Sequence, residues 1–123
     1  MKRLVALVML MCIIAGALLS CVPKQETVMI DELRGFTSVG QLEAWLAADD
    51  TDEQIYVEET HDCDDFAIDL QKAGIADGYL INLEFIVTED VGHVCNAVII
   101  GNKVYFIEPQ SDEVWLVGLV DLD

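Results

Sequence analysis

The chain has 123 residues, with six Lys and Arg against 23 Asp and Glu and two His, for a formal net charge of −17. That length holds one domain. All the acidic residues lie beyond Cys21, where the only basic ones are Lys24, Arg34, Lys72 and Lys103, a field that repels a phosphate backbone and excludes nucleic-acid binding.

Met1-Lys2-Arg3 is a short basic start, and 4–19 carries no charged side chain. Sixteen such residues reach about 24 Å as a helix, short of a membrane span, so the segment reads as a secretory signal. Leu18-Leu19-Ser20-Cys21 resembles the lipobox of secreted lipoproteins. The resemblance implies a signal peptide over 1–20, a lipid on Cys21, a tether over 21–30 and a folded domain over 31–123. The protein would then sit at the cell envelope, outside the cytoplasm, held to the membrane by its N-terminal lipid. The alternative is an uncleaved anchor running to Val22. Either way the domain keeps two cysteines, Cys63 and Cys95, in a compartment where a disulfide can form.

Ser38 and Gln41 fit a capping box, and Val39, Leu42, Trp45 and Leu46 follow at helical spacing, predicting a short helix over 39–48. Asp62 is a good N-cap for a second helix, whose Cys63, Phe66, Ala67, Leu70 and Ala73 form one apolar stripe. Gly74 is expected to close it. From Tyr79 the period is two, through Ile81, Leu83, Phe85 and Val87. His93–Ile100 reads as a second strand, Gly101-Asn102 as a hairpin turn, Lys103–Glu108 as a third strand and Val114–Val120 as a last one. Helices followed by an antiparallel meander argue an α+β fold. No repeat or low-complexity tract interrupts it.

The turn fixes a register. With Gly101-Asn102 as loop residues, Ile100 pairs with Lys103, so His93, Cys95, Ala97 and Ile99 share a face with Val104, Phe106, Glu108 and Gln110. Glu108 is then diagonal to His93, about 7–8 Å away between positions. The helix-then-sheet order would pack the Cys63 stripe against that sheet. A thiol at a helix N-terminus, an imidazole to take its proton and a carboxylate to orient the ring is the set that nucleophilic catalysis needs. Gln41 and Gln54 are the upstream candidates to share an oxyanion hole with the Cys63 backbone N–H.

Cys63-Asp64-Asp65-Phe66-Ala67 resembles the opening of the catalytic helix in transglutaminase-like (papain-like) cysteine peptidases, and His93 and Glu108 follow at spacings similar to that superfamily's His and Asp strands. The resemblance covers about 56–110. It implies a transglutaminase-like core and a thiol acyl-transfer enzyme with Cys63 as nucleophile, His93 as base and Glu108 as orienting acid. The substrate would be a peptide or protein amide, cationic ones included, and no cofactor or metal is implied. The sequence departs from the pattern in having Glu where Asp is usual and Cys95-Asn96 where aromatic residues often follow the histidine.

Other readings share these residues. Glu58, Glu59, Asp62, Asp64 and Asp65 crowd Cys63, and negative neighbours disfavour a thiolate. A Cys63–Cys95 disulfide would staple helix to sheet. His61-Asp62-Cys63 and His93-Val94-Cys95 together offer a tetrahedral zinc set. A non-catalytic surface module of the same fold, binding a cationic or peptide partner, is the different-class alternative. Trp45 and Trp115 read as core or groove wall, and the acid excess as surface chemistry.

Overall fold

A computed structural model describes residues 27–121, so the signal segment, Cys21 and most of the 21–30 tether lie outside the described residues. A 3-10 turn at Ile30–Glu32 leads to helix α1 (Val39–Leu46), a second 3-10 turn (Thr51–Glu53) and helix α2 (Cys63–Ala76). Four strands follow: β1 (Asn82–Val87), β2 (Gly92–Ile100), β3 (Lys103–Glu108) and β4 (Glu113–Leu119). They form one antiparallel sheet in the order β1-β2-β3-β4. Among the described residues no helix is long and apolar enough to cross a membrane.

The helix ends follow from short-range hydrogen bonding. The Ser38 hydroxyl accepts from the Gln41 N–H at 3.1 Å, and Gln41 Oε1 reaches back to accept from the Thr37 N–H at 2.8 Å. At α2 the Asp65 carboxylate accepts from the Asp62 N–H at 3.2 Å, holding the first turn. Helix α2 runs through Gly74 to Ala76. Gly74 is a packing glycine, since a Cβ there would lie 2.6 Å from Ile81 Cδ1. The helix stops at Gly78 instead, at φ 80°, where the Tyr79 N–H returns to Gly74 O and the Gly78 N–H to Ile75 O. That pair of bonds is the Schellman arrangement that satisfies a helix's last carbonyls.

Strand alternation divides the sheet into two faces. The register runs Asn96↔Ile107, Ala97↔Phe106, Val98↔Tyr105, Ile99↔Val104 and Ile100↔Lys103. Gly101, at φ 64°, takes the first loop position, the pattern of a type II′ turn. One face carries Val98, Ile100, Tyr105, Ile107 and Val114, which close on Phe36, Leu42, Leu46, Leu70 and Ile81 to form the core. Asn96 lies on this face too. Fully buried, it donates from Nδ2 to Ala67 O of α2 at 2.9 Å.

Helix α2 therefore covers the Asn96 face and leaves His93 and Cys95 on the other. The residues build a small antiparallel sheet of four strands with two helices, and the expected transglutaminase-like (papain-like) core is corrected on that point. Its premise was that the Cys63 stripe packs on the His93 face. The helix goes to the opposite face because Val98, Ile107 and Val114 offer it apolar surface, whereas His93 and Glu108 would have to be desolvated beneath it.

Candidate functional site

The uncovered face of the sheet holds the polar chemistry. Register and alternation place Glu84 and Ile86 of β1 there, with His93, Cys95, Ala97 and Ile99 of β2. Across the hairpins stand Val104, Phe106 and Glu108 of β3, then Glu113 and Trp115 of β4, which pair with Glu108 and Phe106. Cys95 and Ala97, the small residues in the middle of this face, are buried.

His93 and Glu108 meet on this face. Their Nε2 and Oε2 atoms are 2.6 Å apart, with side chains 32% and 21% exposed. Glu108 Oε1 also accepts from the Gln110 N–H at 3.3 Å, which fixes the carboxylate from its own strand end. Burial, with the charges of Glu108 and Glu84 on either side, pushes the Cys95 thiol up to about 11, so it stays protonated. Beyond this pair the rings of Phe106 and Trp115 meet edge to face at 5.9 Å and 76°, both half-buried. Trp45 belongs elsewhere. Its indole donates to Asp77 Oδ2 at 2.8 Å, within the Phe36 and Tyr79 cluster.

Cys63 makes no hydrogen bond to the His93–Glu108 pair among the described residues. It is a half-buried free thiol in the first turn of α2, grouped with Asp62 and Asp64 so that their ligand-type atoms lie within 4.8 Å of one another. A hydrogen bond with Asp64 raises the Asp62 carboxyl, desolvation and the Asp64 charge adding to it. Cys95 is also a free thiol, and the two cysteines form no staple. The zinc set is not assembled either. His93 is engaged by Glu108, and His61 packs its ring 4.6 Å from Phe66 with Nε2 buried and without a partner among the described residues. Gln41 is occupied in capping α1. Sequence reasoning passed over Trp115 and Phe106 as a unit, although the same alternation that located Glu108 puts them on its face.

No family model and no curated protein matches the chain. Among solved structures it is similar to a Polyporus squamosus lectin bound to the human-type influenza-binding epitope Neu5Acα2-6Galβ1-4GlcNAc. That match has a TM-score of 0.56 and 26% identity, over 68% of this chain and 34% of the lectin chain. The PSL1a-E64 complex is similar in fold, with a TM-score of 0.52 and 23% identity over 82% of this chain and 42% of that one. The chain thus spans less than half the length of either. These neighbours overturn the peptidase resemblance. The thiol acyl-transfer activity and the catalytic-triad reading that followed from it are withdrawn, and with them the peptide or protein amide substrate.

Proposed function

We propose that the domain is a binding module whose ligand is a carbohydrate, held on the open face of the sheet. One observation carries this reading: half-exposed Phe106 and Trp115 stand beside the hydrogen-bonding His93–Glu108 pair on a sheet face that no helix covers among the described residues. A sugar ring has one apolar C–H face and a rim of hydroxyls, so it needs an aromatic platform next to fixed donors and acceptors. Trp115 and Phe106 supply the platform. His93 and Glu108 supply the polar contacts, already oriented by their mutual hydrogen bond. The similarity to a lectin solved with a bound glycan supports the ligand class. Cys63 belongs to the first turn of α2 and is assigned no part in binding.

The test is calorimetric titration of the full chain with oligosaccharides. Trp115→Ala is expected to weaken binding at least about tenfold, the scale of one lost aromatic contact, with the far-ultraviolet circular dichroism unchanged. Absence of sugar binding, or undiminished affinity in that variant, contradicts the reading.

We also propose that the module is displayed outside the cytoplasm on a lipid attached at Cys21, which rests on the Leu18–Cys21 sequence alone. Labelled fatty acid should follow the protein, and Cys21→Ser should abolish both labelling and processing. Membrane retention of an unlabelled, full-length Cys21→Ser chain would instead identify an uncleaved anchor.

A further inference from the structure

We infer that the open face selects saccharides bearing a protonated amine and discriminates against those bearing a carboxylate. The inference rests on the carbohydrate-binding reading and adds the charge class of the ligand.

Three carboxylates bound the face. Glu84 lies opposite Cys95 on β1, and Glu108 pairs directly with Glu113 across β3 and β4. Glu84 and Glu108 both raise the Cys95 thiol, so both are within electrostatic reach of the middle of the face. No Lys or Arg of the strands stands on this face to balance them. Lys103, the single Lys or Arg in β1–β4, pairs with Ile100 and Leu119 and so alternates to the opposite face. His93 is already hydrogen-bonded to Glu108. The chain as a whole carries −17, so the field beyond the sheet has the same sign and does not offset it.

A ligand seated on Trp115 and Phe106 therefore brings its substituents to a rim of like-charged carboxylates. A neutral ring meets no penalty there. An ammonium group on the ring gains attraction from two or three carboxylates, and a sugar carboxylate is repelled by the same groups. The glycan held by the similar lectin contains Neu5Ac, an anionic sugar, so the two proteins are inferred to differ in the charge they accept.

The experiment titrates the full chain at about pH 6, where sugar amines are protonated, against four probes in two matched pairs. Glucosamine trimer is compared with its N-acetylated counterpart, and Neu5Acα2-6Galβ1-4GlcNAc with Galβ1-4GlcNAc. The expected result is about tenfold tighter binding of the amine form than of the acetylated form. The sialylated form should bind more weakly than its parent, and both differences should shrink in high salt. The double variant Glu84→Gln, Glu113→Gln should reduce the amine-to-acetyl ratio; an unchanged ratio overturns the inference. Equal or tighter binding of the sialylated probe overturns it while leaving carbohydrate binding standing. Failure of all four sugars to bind overturns both. Trilysine binding as tightly as the glucosamine trimer also overturns it, because the face would then read positive charge with no use for the ring.

Discussion

The two faces of the sheet are written by the same alternating residues and meet opposite fates. On one, Val98, Ile107 and Asn96 are sealed beneath α2 and the residues around α1. On the other, one residue away along each strand, His93, Ala97, Phe106 and Glu108 face away from α2, and no helix covers them among the described residues. A strand's period of two offers both faces to a helix at once, and the choice falls to whichever side desolvates fewer charges. The consequence is a division of labour. The covered face sets stability, and the open face is left with an aromatic pair and the hydrogen-bonded His93–Glu108 pair to present.

The covered face should be the more sensitive to truncation. Leu70→Ala removes a fully buried side chain from the centre of the α2–sheet contact. It is expected to cost about 2–5 kcal/mol in a urea titration, which is a large part of a small domain's stability. Asn96→Ala breaks the polar tie to Ala67 O and is expected to cost about 1–3 kcal/mol. Were truncations on the open face, such as Ile99→Ala, to cost as much, the two faces would not be the separate regions described.

The sequence made much of this legible. The Gly101-Asn102 turn determines a register in which Glu108 is diagonal to His93, and those side chains lie 2.6 Å apart. Asp62 marks the start of α2, and the Phe66, Ala67, Leu70 stripe is the part that becomes buried. The face that the helix would choose was not legible, because apolar residues alternate on both sides of β2 and β3. Nor was the end of α2. Gly74 carries the mark of a helix stop, but its missing Cβ makes room for Ile81. The peptidase-like motif misled for a related reason. In Asp62–Ala67, one acidic residue closes the first turn by hydrogen bonding, acidic side chains there suit the positive end of a helix, and Phe66 and Ala67 are core. Such a string suits the start of any amphipathic helix.

A pH experiment sharpens the contrast at the β3–β4 turn, where the sheet meets the acidic 49–53 segment. Burial, with Asp52 and Asp49 nearby, raises the Asp112 carboxyl to about 6. A carboxyl raised on folding stabilises the protein while protonated, and that contribution is lost as pH climbs through about 6. Asp112→Asn keeps a side chain that tolerates the observed φ of 59° and removes the charge. It should raise stability at pH 7 by about 1–2 kcal/mol, the shift being discounted for solvent screening, and leave it unchanged below about pH 4. Equal effects at both pH values would show that the charge is not the cause.

The smallest stability effect belongs to the open face. Glu108→Gln keeps the shape but weakens the contact with His93, and is expected to cost about 1 kcal/mol or less. Its effect on sugar affinity should exceed that on stability. The reverse order would make the pair a structural brace.

The two tryptophans give the comparison its own internal control, since both are half-buried but the Trp45 indole is tied to Asp77, away from the sheet's open face on which Trp115 lies. Their indole N–H resonances, distinguished by Trp115→Phe, can be followed as the full chain is titrated with glucosamine trimer. The Trp115 signal should shift in step with the calorimetric binding curve while the Trp45 signal stays in place. Saturable sugar binding that leaves the Trp115 signal still would contradict the placement of the site on this face of the sheet.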